Sequence, residues 1–197
     1  MKIFATSDIH NNLEVVEKLK QIEADLIVIC GDIHSPETLE KIRIILADKD
    51  WFYIRGNMDD LDVSHDSNYL GEQKDNLVPF EWVLTTPFGT YREKNEEELK
   101  EELDKLSVNN NSIIVAHNPP FGAGDKIPAG VNVGSHSILE FIKEKQPKIY
   151  LCGHIHEDFG DYKIGETLVF NCACLGDGVL RGWYIDTKSL EYEKVEM

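Results

Sequence analysis

Residues 2–10 read Lys-Ile-Phe-Ala-Thr-Ser-Asp-Ile-His, an apolar run that ends in two polar side chains, Asp8 and His10. The same arrangement returns in residues 26–32, Leu-Ile-Val-Ile-Cys-Gly-Asp, where the apolar run ends before Asp32. Short apolar runs without alternation are typical of strands that are buried on both faces, as in a parallel sheet. The two stretches therefore predict buried strands, each followed by a carboxylate.

Apolar residues between these strands recur at helical spacing. One group follows the strand of residues 2–6. The second follows the strand of residues 26–30 and is opened by Ser35 as N-cap and Pro36 at the first helical position. A third strand is predicted at residues 51–55. The apolar helix positions are Leu13, Val16, Leu19 and Ile22, then Leu39, Ile42 and Leu46. Strand–helix alternation of this kind predicts an α/β fold whose parallel sheet has covered faces.

The second half of the chain first departs from this alternation and then resumes it. Residues 60–92 are rich in turn formers and aromatics, and we expect strands or an irregular excursion there. Residues 95–106 predict a helix, because Asn95 and Glu98 stand at capping-box spacing. The later predicted elements are a strand at 112–116, a helix capped by Ser135, a strand at 148–152 and two or three more antiparallel strands within 167–196. We predict a single domain over residues 1–197.

The composition excludes several classes of protein. Hydrophobic residues make up 42% of the 197 residues, as in an ordinary globular protein. The net charge of −16 disfavours a broad surface for long nucleic acid, which requires clustered Lys and Arg. No apolar stretch approaches the roughly 20 residues of a membrane span. We expect a cytoplasmic protein whose four cysteines are reduced.

Five short polar motifs begin where a predicted strand ends. Ligand sites in α/β sheets gather outside the carboxyl ends of the strands, so we expect the motifs to converge in space. His154 and His156 are alternate residues, which face the same way in an extended segment. The motifs are Asp8-Ile9-His10, Gly31-Asp32, Gly56-Asn57, His117 and Gly153-His154-Ile155-His156.

This order of motifs resembles that of the calcineurin-like metallophosphoesterases, in which Asp-x-His, Gly-Asp, Gly-Asn, a single His and Gly-His-x-His follow one another. The resemblance runs from Asp8 to His156. Residues 117–122, 133–135 and 153–157 resemble a small single-domain branch that includes phosphodiesterases, some of them acting on cyclic nucleotides. The resemblance implies two mixed β-sheets sandwiched between helix layers.

The resemblance also implies a site for two divalent cations and a hydroxide that attacks phosphorus. By its motifs, Asp32, Asn57 and His117 stand at the catalytic positions. The implied ligands are Asp8, His10 and His156 for one ion, Asn57, His117 and His154 for the other, and Asp32 for both.

The ligand types narrow the choice of metal without fixing it. Oxygen and imidazole donors without a thiolate suit transition metals, and manganese is our first expectation, with Fe, Ni, Co and Zn as alternatives. Only two of the implied ligands are anionic, so two divalent ions would leave a positively charged site that attracts phosphate on an acidic protein.

Met58 departs from the family pattern. Many members have a His after Gly-Asn that acts on the leaving group, and a thioether cannot donate a proton. His34 and His65 are candidates to replace it, although an exposed or structural His is the more common case, and His136 is expected at the surface. Asp59 either orients nearby groups or caps the following turn.

The expected function is metal-dependent hydrolysis of a small phosphoester, more readily a diester than a monoester, with nucleotides among the candidate substrates. The alternatives are a phosphomonoesterase and a non-catalytic binding scaffold of the same fold, as in the retromer subunit that resembles the family. A nuclease on long DNA or RNA is disfavoured by the acidic charge. Three aromatic residues could either line a substrate pocket or belong to the core, namely Phe80, Trp82 and Phe88.

Overall fold

The chain alternates strands and helices up to residue 152 and ends in a run of strands. The computed structural model describes residues 1–197. Its strands are β1 Lys2–Thr6, β2 Leu26–Ile29, β3 Trp51–Tyr53, β4 Leu77–Phe80, β5 Val83–Leu84, β6 Glu93–Lys94, β7 Ile113–Ala116, β8 Ile149–Cys152, β9 Gly160–Ile164, β10 Thr167–Asn171, β11 Arg181–Asp186 and β12 Tyr192–Glu196. Its helices are α1 Leu13–Lys18, α2 Pro36–Ile45, α3 Glu96–Leu103 and α4 His136–Lys145.

Two five-stranded sheets form the centre of the molecule. The first has the order β12-β11-β1-β2-β3, and the second has the order β4-β7-β8-β10-β9. In the first sheet β1, β2 and β3 are parallel, whereas β11 and β12 run antiparallel. In the second sheet only β9 is antiparallel to its neighbour. Both sheets are therefore mixed, as the resemblance implied.

Alternate residues of each central strand enter different cores, and this alternation defines four layers. Ile3 and Ala5 of β1 pack with Ile113 and Val115 of β7 in a core between the two sheets. Phe4 faces the opposite way, into a core shared with α1 and α2. The outer face of the second sheet packs on α3 and α4. The order is helices, sheet, sheet, helices, which confirms the predicted fold class.

The helix starts follow the predicted caps. Asn95 and Glu98 form the full capping box of α3, and the Ser35 and Ser135 side chains accept from the backbone N–H groups of Thr38 and Ile138. The first helix is shorter than its apolar spacing suggested, because the chain tightens into a 3-10 turn at Leu19–Gln21.

The segment predicted as strands or an irregular excursion contains both. It provides the edge strand β4, and Pro79 is tolerated there because an edge strand leaves one side of its backbone without a partner. It also provides β5, which pairs in parallel with β6. Strand β9 was not predicted. No helix in the structure combines the length and the apolar character that a membrane crossing requires.

The three aromatic residues that could line a pocket or join the core differ in their burial. Phe80 is buried in the core beneath α3 and α4, and Trp82 is half-buried against the same core. The Lys94 ammonium lies 4.3 Å from the centre of the Trp82 ring. Phe88 is 83% exposed. The core interpretation therefore holds for Phe80 and Trp82, and only Phe88 is free to meet a ligand.

Because Trp82 packs on the core, Trp82→Ala should lower the free energy of unfolding by about 3 kcal/mol, at the low end of the range for large aromatic truncations. Urea denaturation followed by circular dichroism measures this loss. Phe88→Ala is the matched control and should leave stability within about 0.5 kcal/mol of the wild type. A stable Trp82→Ala protein would contradict the core interpretation.

Candidate metal centre

The polar motifs do converge at one end of the two sheets. Each lies in the loop that follows the carboxyl end of β1, β2, β3, β7 or β8. The two sheets are joined at this end, because the Ser7 N–H donates to the carbonyl of Cys172 at 3.0 Å and the Cys174 N–H donates to the carbonyl of Ser7 at 3.0 Å. The loops of both sheets therefore meet around a single hollow.

Asp8, His10 and His156 make the first cluster in this hollow. The Asp8 Oδ1 atom lies 3.2 Å from His156 Nε2 and 3.6 Å from His10 Nε2. The two Nε2 atoms are themselves 3.2 Å apart. Their potential ligand atoms lie within 4.8 Å of one another, which is a spacing that one metal ion could fill.

Asp8, Asp32 and His117 make a second cluster that shares Asp8 with the first. Asp32 Oδ2 lies 3.5 Å from His117 Nε2 and 3.6 Å from His10 Nε2, so this carboxylate of the second cluster also lies close to a histidine of the first. Asn57 Oδ1 lies 3.0 Å from His117 Nε2.

His154 lies at the edge of this arrangement. Its ring meets the ring of His117 with centroids 5.1 Å apart, and it belongs to neither cluster of converging ligand atoms. Six of the seven predicted ligand side chains therefore meet directly around the hollow, while His154 borders it.

Hydrogen bonds orient the potential ligands. In each carboxylate, one oxygen accepts a hydrogen bond from a backbone N–H and the other faces the imidazoles. Asp8 Oδ2 accepts from His154 N at 2.9 Å, and Asp32 Oδ1 accepts from Met58 N at 2.8 Å. His117 Nδ1 donates to the carbonyl of Cys30 at 2.8 Å, which directs Nε2 into the hollow.

The backbone at these positions is strained. Asp8, His10, Asp32 and His154 all have positive φ angles, of 58°, 44°, 55° and 70°. Residues other than glycine seldom adopt this left-handed region, and such strain clusters at functional sites. The strained loops place the side chains above the strand ends instead of along them.

Two glycines of the motifs allow the close approach of these loops. A Cβ atom on Gly56 would overlap the Asp32 carboxylate, and one on Gly153 would overlap the carboxylate of Asp8. The glycines of the Gly-Asn and Gly-His motifs therefore let one backbone segment lie directly against a carboxylate of the two clusters.

The site is strongly polarised. Burial alone would lower the pKa of His117, but the Asp32 and Asp8 carboxylates outweigh it and raise that pKa to about 10. Burial favours the neutral acid at Asp8, yet the positive charge of His117 and contacts to His10 hold the pKa of Asp8 well below its usual value. Burial and the charge of His117 lower the pKa of His154 to about 4. The two buried carboxylates thus demand positive charge within the hollow.

Asp59 orients its neighbours, as one of the two interpretations of the sequence held. Its Oδ2 atom accepts from the backbone N–H groups of Asp32 at 2.9 Å and Gly56 at 2.8 Å, and Oδ1 accepts from His34 N at 2.5 Å. Burial, together with the charge of Asp32, raises the pKa of Asp59 to about 6.

The histidines considered as replacements for the missing proton donor are separated. His34 lies beside the site, with its ring edge-on to His10 at 5.8 Å and its Nδ1 atom buried without a partner. His65 is exposed. His136 stacks on Phe121 at 3.9 Å at the start of α4. Only His34 is close to the clusters.

Three residues near the site have no signal in the sequence. Asn57 Nδ2 donates to the Thr90 hydroxyl at 2.9 Å, and that hydroxyl donates to Glu93 Oε1 at 2.5 Å. These two hydrogen bonds turn the amide oxygen of Asn57 toward His117. The Arg92 guanidinium donates to the carbonyls of Gly56 and Asp59 and holds the turn that carries Asn57.

The sequence matches the calcineurin-like phosphoesterase superfamily domain over residues 1–178, and the chain belongs to that family. All the predicted ligands lie within the matched residues. Membership identifies the protein as a metal-dependent phosphoesterase, a hydrolase of phosphoester bonds.

Individual proteins show the same relationship. The chain is 31% identical over 190 residues to MJ1162, an uncharacterized protein of Methanocaldococcus jannaschii, with 87% of each chain covered. TT1561 of Thermus thermophilus has a similar structure, with a TM-score of 0.68, 17% identity and coverage of 99% of this chain and 98% of that one. An archaeal phosphodiesterase has a TM-score of 0.52 at 18% identity, with both chains fully covered. The two structural likenesses show a shared fold.

Removing the Thr90 hydroxyl should release the amide of Asn57. Thr90→Val should weaken manganese binding by about 10- to 100-fold, as loss of a group that orients a metal ligand usually does. Thr85→Val is the matched control, since Thr85 is an exposed threonine of the same segment and its hydroxyl bonds neither Asn57 nor Glu93. Calorimetric titration of the metal-free proteins gives both affinities. Equal affinities for the two variants would contradict the role of Thr90.

Proposed function

We propose that the protein is a phosphodiesterase that uses two divalent cations. Asp8, His10 and His156 hold one ion, Asn57, His117 and His154 hold the other, and Asp32 is shared. The observation that carries the proposal is the convergence of two buried carboxylates with three imidazole Nε2 atoms at one end of the sheets. Bound divalent ions would supply an activated water and neutralise charge on the phosphate.

The donor set fits such ions. Two carboxylates, four imidazoles and one amide oxygen suit borderline transition metals, with manganese the first choice. The proton on His117 provides part of the positive charge in the metal-free protein, and an ion would take its place. In the proposed mechanism Asp32 would contribute to the binding of both ions, and Asn57 and His117 would help to hold the second.

The substrate is proposed to be a small phosphodiester, with nucleotides among the candidates. Met58 provides no proton at the position where many relatives have a His, and His34 is the candidate replacement whose ring lies beside His10. An enzyme without a proton donor favours leaving groups that depart as stable anions. The shared fold of an archaeal phosphodiesterase supports the diester choice, and the net charge of −16 opposes long nucleic acid.

A non-catalytic scaffold is the alternative from a different class. Burial of Asp8 and Asp32 costs stability unless cations accompany them, and four of the proposed ligands lie on strained backbone. A scaffold has no need of these costs, and so the site geometry favours an enzyme.

Because Asp32 is assigned to both ions, Asp32→Ala should abolish turnover and lower manganese content more than His156→Ala, which affects one ion. Turnover of bis(p-nitrophenyl) phosphate and metal analysis after dialysis measure the two effects. Asp48→Ala replaces an exposed carboxylate and should change neither. Equal turnover by chelator-treated and manganese-loaded wild type would contradict the proposed function.

The missing proton donor predicts a steep dependence of rate on leaving-group pKa. Met58→His should flatten this dependence, with gains of about 10²-fold or more for poor leaving groups and little change for nitrophenyl esters. A series of substituted aryl diesters measures the slope.

A flat slope in the wild type would show that a donor is already present. His34→Ala should then slow the poor leaving groups selectively, whereas the same change at the exposed His65 should not.

A further inference from the structure

An apolar cleft of about 430 Å³ opens next to the metal centre. One wall is the segment of residues 84–88 after β5. A second wall carries Ile127 and Val133 from the loop after β7, and His154 and Ile155 also line the cleft. A volume of this size lies within the range of ligand pockets, and we call it the apolar cleft.

The lining of the apolar cleft has no Lys, Arg, Asp or Glu side chain. Two of its polar residues are already engaged: Asn118 Oδ1 accepts from Leu84 N at 3.3 Å, and the Thr86 hydroxyl donates to Glu93 at 2.6 Å. The cleft therefore offers apolar contact to a ligand. It has few free hydrogen-bonding groups and no charged side chain that could pair with a charge on the ligand beyond its phosphate.

Internal hydrogen bonds hold the wall that contains Ile127 and Val133. Asp125 is fully buried, and its carboxylate accepts from Asn132 Nδ2 at 2.6 Å and from Gly134 N at 2.8 Å. These two bonds lie at the base of the hairpin on which the wall is built. A fixed wall does not have to be ordered when a ligand enters, and this lowers the cost of binding.

His154 connects the apolar cleft to the metal centre. It lines the cleft, and its ring packs against that of His117. A phosphate bound at the centre would therefore carry one of its ester substituents into the cleft. Phe88 also lines the cleft, and its ring is largely exposed, so a planar group entering the cleft could cover it.

We propose that the apolar cleft binds an uncharged aromatic substituent of the phosphoester substrate, an inference that rests on the phosphodiesterase function proposed above. The enzyme would prefer aryl or nucleoside-type esters to small alkyl esters. It would discriminate poorly among nucleobases, because the cleft presents few groups that could read their edges.

Two phosphonates test this proposal without turnover, since their P–C bonds are not hydrolysed. Phenylphosphonate should bind the manganese-loaded protein about tenfold more tightly than methylphosphonate, an effect typical of filling an apolar pocket. Calorimetric titration gives both affinities. The double variant Phe88→Ala/Val133→Ser should reduce the ratio to about threefold or less.

Val131→Ser is the matched control. Val131 is an exposed valine of the same hairpin that does not line the cleft, and its replacement should keep the full phenyl preference. A wild-type ratio near one, no binding of either phosphonate, or an equal loss in Val131→Ser would overturn the proposal.

Hydrolysis of bis(p-nitrophenyl) phosphate by the same preparations separates this proposal from the proposed function. Turnover without a preference for the phenyl group would support the proposed function and overturn the proposed role of the apolar cleft. A preference for the phenyl group without turnover of any diester would support aromatic binding in the apolar cleft and overturn the proposed phosphodiesterase function.

Discussion

The buried pair of carboxylates, Asp8 and Asp32, is the constraint on which the rest of the structure depends. Each has one oxygen fixed by a backbone N–H and the other facing imidazoles. Two like charges out of water are stable only with compensating cations, which protonated His117 provides in part. The strands that carry them must end at the same level, and the loops beyond must bring nitrogen ligands within a few ångströms. The fold is a means of holding this charge arrangement together.

The packing of the strands beneath the site maintains this arrangement although its backbone is strained. Left-handed backbone at Asp8, His10 and Asp32 each costs of order 1–3 kcal/mol. The strands below are buried on both faces, because alternate side chains of β1, such as Ile3 and Phe4, enter different cores. A strand anchored on two sides cannot relax to relieve strain at its end. The four-layer architecture therefore supports the strained loops of the site from below.

The sequence predicted the parts of this design that are local. Strand ends, helix caps and the motif order are short-range patterns, and six of the seven side chains that they single out meet around the hollow. Thr90 and Arg92 gave no signal, because their contacts with Asn57 and Gly56 span more than 30 residues and depend on the parallel pairing of β5 with β6. Glu93 gave none because it acts on Asn57 only through Thr90. Periodicity also could not place the aromatics, since burial of Phe80 and exposure of Phe88 follow from how the excursion packs. The single-domain extent, residues 1–197, stays a prediction.

This excursion connects ligand orientation with substrate choice. Glu93 accepts from Thr90, which orients Asn57, and from Thr86, which lines the apolar cleft. Burial would raise its pKa, but the hydroxyls of Thr86 and Thr90 outweigh that effect and lower it to about 2, so the anchor stays charged at neutral pH. One carboxylate thus holds both the amide at the metal centre and the proposed substrate wall. A change in the wall that moved Glu93 would also disturb Asn57. The cleft can therefore vary in shape freely only at positions such as Phe88 and Val133, which line it without touching that anchor.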